Sequence, residues 1–449
     1  MNKLLLTASM ASLLVVPGAA DARKRPQPAP VAAPVAPLVA PSDPVELYYF
    51  SNSNAPIWTR SPDSRAALGA LINLLQRSPA EGLANGPALA ASVQAAMQRA
   101  ATNAPADVQA LEFDASKAWV SYVQMMKKAP AGMLFGYPHL SPQGSRPDQI
   151  LLTASAAPSL LAHLQKVSTP NTTYAQLREA SWNAMQATPG SGPDPRLLSN
   201  LERARVLPAG GRYILVNSAD ARLTMFENGQ PVDSMKVVVG KTDSPTPMIA
   251  SMIYYATFNP YWNVPDNLIR KNIAPKAGKQ GESYLKGQGF EVMSDWTENA
   301  TVLPFSGVDW AAAANGTKPI RVRQLPSAQN SMGRYKFNFR NSEDIYLHDT
   351  PIKEYLKKPV RTLSNGCIRL EDAKRLASWL LRADAVAPNE QPEQHVKLPE
   401  GVPVFVTYLT AVPQAGGQIA YLDDYYGWDG RPDRQVAAAP SLSGARVSR

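Results

Sequence analysis

A multidomain α+β fold is predicted, with an α-helical scaffold region followed by a mainly β domain that carries one packed helix. Three observations predict it. Apolar residues recur at helical spacing in segments between residues 65 and 205. Near Gly211 the pattern changes to short β-prone runs, first Tyr213-Ile214-Leu215-Val216-Asn217 and then Arg222-Leu223-Thr224-Met225-Phe226. An Asn228-Gly229 step before the next run, Met235 to Gly240, is a hairpin signal.

Taken in order, the chain opens with Lys3, an apolar run from Leu4 to Val16, and the small-x-small stretch Ala20-Asp21-Ala22. Residues 1–22 are expected to be an export signal cleaved after Ala22, the apolar run being short for an uncleaved anchor. Residues 23–44 are Pro-rich and read as an extended tether, since proline fixes φ and lacks an amide donor. The helical region is expected over residues 45–208. Its segments are Arg65 to Gln76 (Leu68, Leu71, Ile72 and Leu75 inward), Lys117 to Met126 (Trp119, Val120 and Val123 inward), Ser155 to Leu164, Tyr174 to Met185 and Leu197 to Arg205. Gly- and Pro-containing breaks fall at 129–147 and 188–195. The β domain is expected over 209–435, with further strands at Met252–Phe258, Ile320–Arg323, Tyr335–Phe339, Asp344–His348 and Val404–Leu409. Its helix is marked by Leu370, Ala373, Leu376, Ala377 and Leu380. The aromatic and basic stretch from Pro260, taken to residue 300, is either a mobile cover over a cleft or an ordered surface excursion. Residues 436–449 read as a flexible tail.

Composition narrows the function classes. Hydrophobic residues make up 45% of the 449 and charged residues 18%, which excludes a wholly disordered chain. One cysteine excludes an internal disulfide and a Cys-rich zinc site, and four histidines leave little room for a His-rich metal centre. No metal or cofactor is expected. The net charge of +9 favours anionic partners. Nucleic acid is set aside, because no matching recognition motif appears and the chain reads as exported.

One constellation carries chemistry. It runs Tyr346-Leu347-His348-Asp349-Thr350-Pro351, then Leu363-Ser364-Asn365-Gly366-Cys367-Ile368-Arg369. Cys367 is either an inert core thiol or a nucleophile that a nearby base converts to thiolate. His348, ending a β-prone run, is either that base or a satisfied edge histidine. Gly366 permits a tight approach, and backbone amides near Gly366 and Cys367 are placed to receive a tetrahedral oxyanion. Arg369, two residues beyond Cys367, shares its side of a strand. It either binds a substrate carboxylate or serves as a structural arginine.

On these residues the chain resembles the L,D-transpeptidase family with the YkuD-type catalytic domain, in its large periplasmic, scaffold-containing class. The motif pair is His348 with Ser364-Asn365-Gly366-Cys367-Ile368-Arg369. Supporting segments are Val239-Gly240-Lys241, Thr246-Pro247, Asn259-Pro260-Tyr261-Trp262-Asn263-Val264-Pro265, Gly333-Arg334-Tyr335-Lys336-Phe337 and Asp423-Asp424-Tyr425-Tyr426-Gly427. The resemblance implies a cysteine acyltransferase of the periplasm that works on peptidoglycan tetrapeptide stems as donor and acceptor. Its products are 3-3 cross-links, with L,D-carboxypeptidase or cross-link-cleaving endopeptidase activity as the alternative. A wall-attached protein is a further acceptor, and carbapenems are implied covalent inhibitors. A non-catalytic wall-binding scaffold is the reading from a different class. Cys367, His348 and Gly366 are the implied catalytic residues. Arg369, Ser364, Asn365, Tyr335, Trp262 and Asn263 are the implied substrate-binding ones. Two departures stand out: Asn365 replaces the His or Ser of many relatives, and the interval 130–190 is too short for a standard peptidoglycan-binding module together with the scaffold helices.

Overall fold

The computed structural model describes residues 40–431. The expected export signal, most of the Pro-rich tether and the tail from 436 lie outside the described residues. The helical region comprises α1 (Pro44–Ser51), α2 (Pro62–Arg77), α3 (Gly86–Ala100), α4 (Pro105–Met126), α5 (Pro147–Ala156), α6 (Leu160–Ser168), α7 (Thr172–Ala187) and α8 (Pro195–Ala204). Many of its prolines start helices instead of breaking them. At the first turn, proline loses no hydrogen bond, because that amide has no partner within the helix. Pro44, assigned by sequence to the tether, is the first residue of α1 in this way. Acceptor side chains sit just before the first turn: Asp43 caps Val45 and Glu46, Ser61 caps Ser64, and Asn171 caps Tyr174.

The single helix expected over Ser155 to Leu164 is two helices. Ala157 has extended backbone (φ −68°, ψ 131°), as a residue before proline prefers. Ser159 then caps α6. Between α4 and α5 runs a two-residue strand, β1 (Leu134–Phe135).

The β domain is built from β2 (Tyr213–Asn217), β3 (Arg222–Glu227), β4 (Gln230–Gly240) and β5 (Ile249–Phe258). The β3–β4 hairpin turns at Asn228 (φ 51°) and Gly229 (φ 76°), the two positive φ values that an Asn-Gly turn supplies. After β5 comes an insertion. It contains β6 (Trp262–Asn263), α9 (Asp266–Leu268), α10 (Ala274–Gln280), α11 (Glu282–Gly287), β7 (Phe290–Met293), β8 (Val302–Leu303), α12 (Trp310–Asn315) and β9 (Arg321–Gln324). The chain then returns through β10 (Tyr335–Asn338), β11 (Tyr346–His348), β12 (Thr362–Ser364), β13 (Ile368–Leu370), α13 (Ala373–Leu381) and β14 (Gln394–Thr407).

The main sheet runs β5-β10-β11-β13-β4-β3-β2-β14, and β14 pairs back onto β5, so the sheet closes into a barrel. Its interior holds Val216, Leu223, Val237, Ile253, Phe337, Leu347 and Ile368, together with Leu376, Ala377 and Leu380 of α13. The insertion is more than a covering loop. It has its own four-stranded sheet, β6-β9-β7-β8, and its own core around Ile273, Ala277, Val292 and Val322.

The helices and the barrel share a hydrophobic core. Trp58, Leu71, Trp119 and Tyr174 belong to the same cluster as Tyr213, Met248, Ala250 and Phe405. β1 seals the junction by pairing in parallel with Ile249 and Ala250 of β5. Gly136 is required there: a Cβ would lie 2.2 Å from the Arg340 carbonyl and 2.4 Å from Ser251 Oγ. After β14, a segment to residue 431 carries the hairpin β15 (Ala411–Pro413) and β16 (Ile419–Tyr421) and packs on the same shared core.

Candidate active site

Strand pairing assembles the site. His348 has Lys336 as its Cα partner on β10 and Arg369 as its partner on β13. Directly paired residues share a face of a sheet, and alternation adds Tyr346, two residues before His348. The intervening Phe337, Leu347 and Ile368 are fully buried in the barrel interior. The opposite face therefore presents Lys336, Tyr346, His348 and Arg369 together. Tyr346 and His348 rings lie 5.7 Å apart between centroids. The Lys336 ammonium lies 4.6 Å from the Tyr346 ring centre, and the Arg369 guanidinium 5.6 Å from that of Tyr355. Among the described residues, no carboxylate lies within 4.0 Å of Arg369, whose Nε is buried without a hydrogen bond, whereas the Lys336 charge acts on the Asp344 carboxyl.

His348 is 3% exposed, and its Nδ1 lies 2.5 Å from the Asp349 carbonyl oxygen. A carbonyl only accepts, so Nδ1 carries the proton and Nε2 keeps its lone pair. Burial pushes the imidazole pKa down to about 3, and the nearby Arg369 and Lys336 charges add to this. The ring is therefore neutral at ordinary pH. The hydrogen bond that orients the ring therefore goes to a backbone carbonyl. The Asp349 side chain is engaged elsewhere, accepting from the Arg334 amide (3.0 Å) and from Lys353 Nζ (2.9 Å).

Cys367 immediately precedes β13, half-buried, with Sγ 3.8 Å from the Asp344 carbonyl. Burial pushes its thiol above the ordinary value. Hydrogen bonds with the backbone and hydroxyl of Tyr346 pull the other way, as do the Lys336 and Arg369 charges. Gly366 has φ +115°, a region L side chains rarely adopt, so the turn ahead of the thiol demands glycine. The Gly366 amide, read from sequence as an oxyanion donor, instead donates to Ser364 Oγ (3.2 Å). Ser364, read as touching substrate, is 2% exposed and donates to the Cys367 carbonyl (2.6 Å). Both residues shape the turn from within.

Residues 211–406 match the YkuD family, described as the L,D-transpeptidase catalytic domain. Residues 43–180 match the scaffold-domain family. The chain thus carries a YkuD-type L,D-transpeptidase catalytic domain preceded by a scaffold domain. It is 28% identical over 391 residues to a Haemophilus influenzae protein assigned as an L,D-transpeptidase, covering 85% of this chain and 77% of that one. Among solved structures, it matches an L,D-transpeptidase from Mycobacterium smegmatis at 14% identity and TM-score 0.23, over 44% of this chain and 59% of that one. It also matches an L,D-transpeptidase in complex with imipenem at 12% identity and TM-score 0.22, over 44% of this chain and 60% of that one. Each match spans less than two thirds of the solved chain, and likeness this slight has no bearing on the site. The catalytic-domain match supports a transpeptidase-type, peptidoglycan-modifying activity and a periplasmic, cell-wall-associated location.

The other residues expected from the L,D-transpeptidase motifs are placed unevenly. Arg369 stands on the site face. Asn365 is exposed at the turn, within 3.5 Å of Lys241 Nζ. Tyr335 points the other way: its ring packs on Phe258 and its hydroxyl reaches the Ala385 carbonyl (3.2 Å). Strand alternation gives the site face to Lys336 instead. Trp262 packs within the insertion, 6.4 Å from the Phe290 ring, and Asn263 is exposed on the same strand. No contact among the described residues brings either to Cys367 or His348. Sequence reasoning passed over Lys336, Tyr346 and Tyr355 as site residues. Tyr346 was accessible from its i,i+2 relation to His348, whereas Lys336 and Tyr355 needed the strand register and the chain path.

Proposed function

We propose that this protein is a peptidoglycan L,D-transpeptidase that forms 3-3 cross-links from tetrapeptide stems through a thioester on Cys367. The observation that carries the proposal is the buried, neutral His348, whose Nδ1 is pinned to the Asp349 carbonyl, on the same face as Arg369 and beside the Cys367 turn. His348 Nε2 takes the thiol proton as Sγ attacks the carbonyl of the stem's third residue. The bond from that carbonyl to the D-alanine nitrogen then breaks. His348 passes the proton to the departing amine, leaving the thioester. The side-chain amine of a second stem's diaminopimelate attacks the thioester, and its proton returns through His348 to the Cys367 sulfur. Arg369, which has no carboxylate against it, holds a carboxylate of the stem, with Lys336 on the same face. Water in place of the second amine gives carboxypeptidase or endopeptidase activity, and a wall-attached protein's amine gives protein attachment. Carbapenems acylate the same sulfur.

Intact-mass analysis with purified disaccharide-tetrapeptide tests this. The expected result is an adduct on Cys367 with loss of D-alanine, followed by a dimer joined through two diaminopimelate residues. Both disappear in Cys367→Ala. An adduct that persists in Cys367→Ala overturns the nucleophile, and hydrolysis without any dimer overturns transpeptidation in favour of carboxypeptidase action. Absence of adduct and turnover in the unsubstituted protein leaves the wall-binding scaffold reading.

A further inference from the structure

We propose that Thr246 and Tyr426 are positioning residues that aim the Cys367 backbone amide at the oxyanion, so that the segment after β14 is part of the catalytic unit. This rests on Cys367 being the nucleophile. Thr246 is 1% exposed. Its Oγ1 donates to the Gly366 carbonyl (2.7 Å) and accepts from the Gly240 amide (2.8 Å). The Tyr426 hydroxyl donates to the Gly240 carbonyl (2.8 Å) and accepts from the Thr246 amide (3.3 Å). Four hydrogen bonds thus tie the end of β4, residues 244–246 and the nucleophile turn to one tyrosine. Space is tight: a Cβ on Gly240 would lie 2.2 Å from the Ser244 carbonyl and 2.6 Å from the Thr246 amide.

The consequence follows from peptide planarity. The Gly366 carbonyl and the Cys367 N–H belong to one rigid trans plane and point in opposite directions. Glycine at 366 leaves that plane free to rotate. Holding its oxygen on Thr246 therefore fixes where the Cys367 N–H points. The Gly366 amide is occupied by Ser364 Oγ, so the Cys367 amide becomes the turn's candidate donor to a tetrahedral oxyanion.

Tyr426 is itself held firmly. Its ring stacks on Tyr408 at 4.9 Å, and its amide donates to the Tyr408 hydroxyl (2.9 Å). Arg203 of α8, 1% exposed, donates to the Tyr408 carbonyl (2.8 Å), the Trp428 carbonyl (3.0 Å) and Asp429 Oδ1 (2.7 Å). The catalytic-domain match ends at residue 406, so Tyr426 and its anchorage lie outside it.

The test compares two reactions of the same sulfur in Thr246→Val, Thr246→Ser and Tyr426→Phe. Acylation by imipenem builds a tetrahedral oxyanion, whereas alkylation by iodoacetamide builds none. In Thr246→Val, acylation is expected to slow by about tenfold or more while alkylation changes less than about twofold. Tyr426→Phe is expected to move acylation in the same direction by a smaller factor, with its KM for the tetrapeptide donor unchanged. Thr246→Ser, which keeps the hydroxyl, is expected to stay within about threefold of the parent rate. Hydrogen exchange of the peptide spanning residues 362–370 is expected to quicken in Thr246→Val and not in Thr246→Ser. Unchanged acylation in Thr246→Val overturns the proposal, as does an equal loss of acylation and alkylation. If the unsubstituted protein forms no adduct on Cys367 with imipenem, the nucleophile assignment itself falls, and this inference falls with it. An adduct in the unsubstituted protein with no difference among the variants overturns only the positioning role.

Discussion

The helical region and the barrel face treat buried charge in opposite ways. In the helical region, Glu112 is 4% exposed and accepts from the amides of Ile57 (2.8 Å), Trp58 (3.1 Å) and Thr59 (2.8 Å) and from the hydroxyls of Thr59 and Tyr49 (2.7 Å each). Glu81, 1% exposed, receives the Tyr122 and Tyr174 hydroxyls at 3.0 and 2.5 Å. On the barrel face, Arg369 is mostly buried with no carboxylate against it, and His348 is held neutral. Glu112, with donors on both oxygens, organises the loop that supplies them, and its arrangement is complete without a ligand. A desolvated cation without a counter-ion is incomplete until a ligand's carboxylate arrives. The difference separates a buried charge satisfied within the fold from one left open to a ligand.

Four measurements break or sharpen that contrast. His348→Ala is expected to slow acylation of Cys367 by about 10²–10⁴-fold while the melting temperature changes little, and a matching loss of stability would erase the distinction. Glu112→Ala is expected to do the reverse. It strands the amides of residues 57–59 and costs on the order of 3 kcal/mol in denaturant unfolding, with the acylation rate of the folded fraction unchanged. Arg369→Met is expected to lower kcat/KM for the tetrapeptide by roughly 10–100-fold and to leave the unfolding midpoint level. Burial holds His348 far below its ordinary 6.5 and raises Cys367 above its ordinary 9.0, so the pair is neutral at pH 7. Iodoacetamide alkylation should therefore climb by about tenfold per pH unit between pH 7 and 9. A rate plateau between pH 4 and 7 would reveal a thiolate–imidazolium pair instead.

Local signals were legible in the sequence. The strand at Tyr213–Asn217 and the Asn228-Gly229 turn follow from side-chain alternation and from two residues that tolerate positive φ. The runs 346–351 and 363–369 each stand out as compact local patterns, and the pairing of Leu347 with Ile368 sets them side by side. What escaped was set by contacts distant in sequence. Barrel closure joins β5 to β14 across an insertion and several strands, and no local pattern encodes that pairing. Tyr335 and Lys336 are neighbours on one strand, and only the register with His348 decides which of them faces the site. Thr246 and Tyr426 reach the turn through hydrogen bonds between residues 120 to 186 positions apart. Prolines misled where they open helices, because the same residue ends one element and begins the next.

The parallel pairing of β1 with β5 has a consequence for how such a protein can be recombined. A cut placed between the helical region and residue 211 would separate Leu134 and Phe135 from their partners and uncover Tyr213, Met248, Ala250 and Phe405 at once. The two family matches leave a gap there, between residues 180 and 211, but the interior has none. A chimera that borrows the barrel from one relative and the helices from another inherits two halves of one interior. It will dissolve and fold only if the graft carries both faces of that interior together, so the unit of exchange in this architecture is larger than the catalytic module.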